Sequence, residues 1–149
     1  MQEGKKRVML IVAYDGTNYC GWQIQPNGNT IEGELNRALS ELFGEKIIVS
    51  GASRTDAGVH SCGNVAVFDT IARIPAEKIS YALNQRLPED IVVQCSQKVP
   101  LDFHPRHVKS KKTYEYRILN REFRDPNRRL DTYFYYRCLD VHAMREAAG

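Results

Sequence analysis

Ile47-Ile48-Val49-Ser50, then Gly51-Ala52-Ser53-Arg54-Thr55-Asp56-Ala57-Gly58-Val59-His60-Ser61-Cys62, then Asn64-Val65-Ala66-Val67-Phe68: the fold is read from this stretch. The apolar run Ile47 to Ser50 predicts a buried strand, and the alternating run Asn64 to Phe68 predicts a second. The segment between them is therefore a loop joining two strands. Small residues at Gly51, Ala52, Ala57 and Gly58 let the chain turn tightly and let a ligand approach the backbone, while Arg54, Thr55, Asp56 and His60 supply charge and hydrogen bonds. The plain alternative is an Asp-Gly-type turn with a solvated arginine.

Working outward from this pair, Arg7 to Tyr14 predicts a first strand stopped by the turn signal Asp15-Gly16. The loop after it carries Trp22, the only tryptophan, expected to cap the core. Asn29 is placed to cap a helix with Glu32 at its third position. Ile31, Leu35, Ala38, Leu39 and Leu42 then recur at helical spacing until Gly44 ends the element. A second helix is expected from Pro75 through Ile79, Ala82 and Leu83 to the stop at Leu87-Pro88. Ile91-Val92-Val93 begins a fourth strand. The order β-α-β-β-α-β is that of the ferredoxin-like, RNA-recognition-like split βαβ unit, an α+β fold with an antiparallel sheet and both helices on one face. Further strands are expected at Lys112 to Ile118 and Tyr133 to Tyr136, and Val141 to Ala148 starts a helix with no visible end. Residues 1–149 thus read as a single α+β domain, with about 138–149 the start of a second domain cut in mid-element.

The chain has 149 residues, of which 42% are hydrophobic and 26% charged, ordinary values for a globular protein with a modest core. It has no apolar run long enough to span a bilayer and no secretory signal pattern, so no membrane association and a cytoplasmic location are expected. Cys20, Cys62, Cys95 and Cys138 are widely spaced without a C-x-x-C pair, which predicts free thiols. Net charge is only +3, but ten of the 21 Lys and Arg lie between His104 and Arg137. There they are interleaved with Tyr114, Tyr116, Phe123, Tyr133, Phe134, Tyr135 and Tyr136, the mixture that phosphate contacts and base stacking require. A nucleic-acid surface is the expectation.

On residue chemistry alone, Asp56 could be a nucleophile, a general base, a metal ligand or a turn residue. His60 is its only near partner, and no second acidic cluster supports a hard-cation cage, so no metal site is expected. Gly51-Ala52-Ser53-Arg54-Thr55 falls short of the G-x-S-x-G nucleophile elbow because the last glycine is missing and no helix follows. No phosphate-cradling glycine loop precedes either helix.

Arg54-Thr55-Asp56-Ala57-Gly58-Val59-His60 resembles the signature of the TruA family of tRNA pseudouridine synthases, and Tyr14-Asp15-Gly16-Thr17 with Gly21-Trp22-Gln23 resembles that family's opening motif. The likeness covers essentially the whole chain. It implies that Asp56 is the nucleophile of uridine-to-pseudouridine isomerisation in the anticodon arm of tRNA, adding to the base at C6 or to the ribose at C1′, without cofactor or metal. It also implies that Arg54 serves the flipping of the target uridine, that Tyr114 stacks on the uracil, and that Arg106, in Phe103-His104-Pro105-Arg106, holds the RNA backbone. Thr55, His60 and Lys112 join the expected RNA-contacting set, whereas His104 and His107 are expected to be solvated or structural. Ser61 and Pro105 depart from the family's usual alanines. Family members continue into a second half whose basic side chain pairs with the catalytic Asp, and the full-length enzyme is a possible homodimer. The rivals are a non-catalytic RNA-binding module, which the absence of an aromatic pair in Gly63 to Phe68 disfavours, and a small hydrolase using Ser53.

Overall fold

Strand β1 (Lys6–Tyr14) alternates as a strand with one face on a core must: Val8, Leu10, Val12 and Tyr14 are buried and the residues between them half-buried. The computed structural model describes residues 4–109 and 111–149. In it β1 pairs antiparallel with β3 (Ser61–Thr70) on one side and with β4 (Ile91–Val99) on the other. The short β2 (Ser50–Gly51) adds to the outer edge of β3, giving the antiparallel order β2-β3-β1-β4. With α1 (Ile31–Phe43) between β1 and β2, and α2 (Ala76–Asn84) between β3 and β4, this is the split βαβ arrangement.

Helix α1 buries Ile31, Leu35, Ala38 and Leu39, and α2 buries Ala76, Ile79, Ser80 and Leu83. Both stripes join Val8, Leu10, Val12, Ala66, Phe68, Ile91 and Val93 in one core. Each large apolar side chain removed from water there contributes roughly 1.5–3 kcal/mol. A bulge shifts the β1–β4 register between Ile11 and Val12, so that Ser96 falls on the buried side. Its hydroxyl enters α2, accepting from Ser80 N at 2.9 Å and donating to the Ala76 carbonyl at 2.6 Å.

Three expectations need correction. The cap of α1 is Thr30, not Asn29: its hydroxyl accepts from Gly33 N at 3.1 Å. The second strand contains only Ser50 and Gly51, because α1 side chains take the backbone donors just before it. Ile47 N donates to Ser40 Oγ and Val49 N to Asn36 Oδ1. Ile47 and Val49 are buried all the same. Finally, residues 111–117 form no strand.

The chain divides into two compact units, Met1–Lys109 and Ser110–Gly149. In the second, β5 (Ile118–Asn120) pairs parallel with β6 (Tyr133–Tyr135), and α3 (Val141–Ala148) is capped by Asp140, which accepts from Ala143 N. Between β5 and β6 lies a crossover of about a dozen residues, the length a parallel connection needs. No described residue of this unit is fully buried. Among the described residues no helix is long and apolar enough to cross a membrane.

Candidate active site

The loop from Ala52 to His60 is held at its base by β2 and β3. Ala52 N donates to the Val65 carbonyl at 2.8 Å. Asn64, buried in β3, grips Ser53 on both sides: its Oδ1 accepts from Ser53 N at 3.3 Å and its Nδ2 donates to the Ser53 carbonyl at 2.9 Å. The Arg106 Nε donates to the Gly51 carbonyl at 3.0 Å. Arg106 therefore braces the loop's base while its side chain stays exposed.

The tip of the loop is a turn in which Val59 N donates to the Asp56 carbonyl, with Gly58 at φ +78°. On either side of Asp56 the loop is bonded to the segment that follows β1. Trp22 N donates to the Thr55 carbonyl at 3.0 Å, and Gly58 N to the Tyr19 carbonyl at 3.2 Å. That close approach explains two glycines of the opening motif. A Cβ on Gly16 would lie 2.1 Å from the Val59 carbonyl oxygen, and one on Gly21, at φ +87°, 2.6 Å from that of Thr55. The two motifs recognised separately in the sequence pack against each other.

Side chains continue the lock. Thr55 Oγ1 and Tyr14 Oη share a hydrogen bond of 2.7 Å, and Tyr14 is buried. His60 Nδ1 accepts from Gly16 N at 3.0 Å and lies 3.2 Å from Asp15 Oδ1. Asp15 is held below the usual carboxylate range, chiefly by the Thr17 hydroxyl and amide. Trp22 is fully buried, as a core-capping residue should be, and among the described residues its indole N–H has no hydrogen-bond partner.

Asp56 and Arg54 are exposed at this loop. Among the described residues, no hydrogen bond or ion pair engages the Asp56 carboxylate. A rigid loop thus presents a carboxylate with all its lone pairs open, a group that can act as nucleophile or base. No cluster of three His, Cys, Asp or Glu able to hold a metal occurs among the described residues.

Of the other expected site residues, Thr55 and His60 are in the loop, but their polar groups are engaged in its packing. Tyr114 and Lys112 belong to the second unit, in the segment before β5, and both are exposed. Tyr116, two residues on, is 91% exposed and likewise lies outside any strand. In the same unit Arg124 sits over the Phe134 ring at 4.7 Å, and the two help line a cleft of ≈ 540 Å³ with Arg129 and Tyr133. Asn64 and Tyr19 were not singled out in the sequence. A polar residue in a strand, or a tyrosine beside a cysteine, carries no signal of what it will touch.

Fold and loop together define a split-βαβ domain that presents a carboxylate on a braced loop. The family model described as tRNA pseudouridine synthase matches residues 10–107, which include both motifs and the loop, and the chain belongs to that family. The protein named tRNA pseudouridine synthase A in Acetivibrio thermocellus is 48% identical over 144 residues, which cover 97% of this chain and 59% of that protein. The one in Clostridium acetobutylicum is 48% identical over 142 residues, 95% of this chain and 58% of that protein. The one in Citrifermentans bemidjiense is 46% identical over 144 residues, 97% and 58%. The chain therefore spans less than two thirds of the length of these relatives.

Proposed function

We propose that this chain carries the nucleophile of a tRNA pseudouridine synthase, with Asp56 attacking a uridine of the anticodon arm. The observation that supports this best is the open Asp56 carboxylate on a loop fixed at both flanks by backbone bonds to Tyr19 and Trp22. A nucleophile held in one geometry reacts with less loss of orientational freedom.

The reaction is an isomerisation. The bond between N1 and C1′ breaks, the uracil turns, C5 bonds to C1′, and the C5 proton is lost as N1 gains one. No electrons are lost or gained overall. The carboxylate has two routes, addition to C6 of the base or to C1′ of the ribose, and either one detaches the base for rotation. Before either, the uridine must leave its stack, at a cost of a few kcal/mol. Exposed Arg54 is suited to hold the vacated position, because a guanidinium both contacts phosphate and stacks on bases. Tyr114 supplies a ring for the uracil, and Arg106, beyond its bond to Gly51, keeps donors for the RNA backbone. Lys112 contributes positive charge toward phosphate.

Release of tritium from 5-tritiated uridine in tRNA tests this reading, using the chain together with the C-terminal part of the Acetivibrio thermocellus relative. Asp56→Asn preserves shape and removes the nucleophile, so tritium release should stop while tRNA binding persists. Turnover by the Asn variant near the wild-type rate would show the assignment to be wrong.

A further inference from the structure

We infer that Asp90, acting through Tyr19, is a positioning residue for Asp56. The inference rests on the reading of Asp56 as nucleophile. The loop is gripped on either side of Asp56 by two groups of the segment after β1, the Trp22 amide and the Tyr19 carbonyl. The Trp22 end of that segment is fixed by α1: Ile31 N donates to the Gly21 carbonyl and Glu32 N to the Trp22 carbonyl, so helix donors that would otherwise lack partners hold it.

The Tyr19 end is anchored on the turn before β4. Tyr19 Oη donates to Asp90 Oδ1 at 2.6 Å, and Asp15 N donates to the Asp90 carbonyl at 2.9 Å. Asp90 thus holds the short 3-10 turn Gly16–Asn18 from both sides, with Tyr19 N closing it on the Gly16 carbonyl. A hydroxyl donating to a carboxylate at this distance is among the stronger hydrogen bonds. Tyr19 is only 8% exposed, so water competes little for it. Burial, then the Asp90 carboxylate, pushes the Tyr19 phenol well above its ordinary pKa, which keeps it a donor throughout the physiological range. The path is continuous: Asp90 carboxylate, Tyr19 hydroxyl, Tyr19 carbonyl, Gly58 amide, and two residues away Asp56. Releasing the phenol frees the Tyr19 carbonyl to drift and the Gly58 side of the loop with it. Misplacing a reacting group by about 1 Å can cost up to ~100-fold in rate.

Three variants test this. Tyr19→Phe removes one oxygen, Asp90→Ala removes the acceptor, and Asp90→Asn retains an acceptor oxygen at the same place. In the 149-residue chain, amide hydrogen exchange at Gly58 should quicken about tenfold in Tyr19→Phe and Asp90→Ala, while the β1–β3 amides keep their protection. Asp90→Asn should stay near wild type. With the C-terminal part of the relative added, kcat for tritium release should fall about tenfold in the first two variants at unchanged KM for tRNA, and Asp90→Asn should restore it. Unchanged Gly58 exchange in all three, or an Asp90→Asn variant as damaged as Asp90→Ala, would overturn the proposal. A wild-type mixture that makes no pseudouridine would count against the proposed function instead, and Gly58 exchange would still decide whether Asp90 holds the loop.

Discussion

At the scale of single residues, the site depends as much on missing side chains as on those present. Gly21 combines a left-handed backbone with a carbonyl where its Cβ would be. Gly21→Ala should therefore cost on the order of 3 kcal/mol, read as a lower denaturation midpoint at an unchanged denaturant slope. A midpoint equal to wild type would mean that the loop moves aside freely. Tyr114 and Tyr116 allow a sharper contrast. Both are exposed, 66% and 91%, so neither leucine variant should lower the melting temperature appreciably. Under the proposed function Tyr114→Leu should cut activity steeply, since a base–aromatic stack contributes roughly 1–3 kcal/mol. Loss of activity on Tyr116→Leu with Tyr114→Leu fully active would move the stacking role to the other tyrosine.

At the scale of elements, one cross-strand ion pair joins the sheet to the segment that braces the loop. Arg7 in β1 faces Asp69 in β3, donating to both carboxylate oxygens at 2.7 and 3.0 Å, while a third donor reaches the Phe103 carbonyl at 2.7 Å. Three residues past Phe103, Arg106 binds the loop's base. The Arg7 hydrogen bond, more than its charge, holds Asp69 below the usual carboxylate range. A carboxylate whose folded-state pKa is lowered adds stability that is complete above its unfolded pKa, about 3.9, and disappears as pH falls through the lower folded value. Asp69→Asn should accordingly lower stability by about 1 kcal/mol near neutrality. The gap between variant and wild type should close below roughly pH 4. Thermal melts across a pH series measure it, and a gap that widened in acid would contradict the sign.

For the whole molecule, the two units make different demands. The second holds many of the clustered Arg and Lys among exposed aromatics, and none of its described residues is fully buried. Phosphate contacts by Arg106, Lys109, Lys111 and Lys112 need no enclosed site, so the 149-residue chain should bind tRNA weakly, with affinity falling steeply as salt rises. Under the proposed function, catalysis asks for a water-poor cleft that balances the charge on Asp56, and Asp56 is exposed here. The chain alone should bind tRNA yet form no pseudouridine, and the C-terminal part of a relative should restore turnover. Pseudouridine made by the purified chain, free of host synthase, would show that the first unit holds a complete site.

Local pattern was enough for the helices and the central strands. The stripe Ile31, Leu35, Ala38, Leu39 and the alternation from Val8 to Tyr14 each bury one face, and such periodicity is written in neighbouring residues. The loop was legible for a similar reason, as a compact run of small and charged residues between two apolar runs, whereas the role proposed for Asp56 came from the family resemblance. Local pattern failed where a side chain distant in sequence decided the matter. Ile47 to Val49 reads as a strand, yet Asn36 and Ser40 of α1 take its amides. Lys112 to Ile118 alternates like a strand, but of these residues only Ile118 falls within a strand, β5, where it pairs with Tyr133 of β6, because a ladder needs a second chain segment as well as a propensity. Arg106 is expected at the RNA backbone, and nothing in its sequence neighbourhood shows that it also braces Gly51. The reason that Gly16 and Gly21 are glycines, the grip of Asn64 on Ser53, and the reach of Asp90 through Tyr19 to the loop depend on contacts between residues far apart in the chain. Tertiary packing alone determines those contacts, since it places backbone and side-chain donors within about 3 Å of acceptors that no sequence spacing relates.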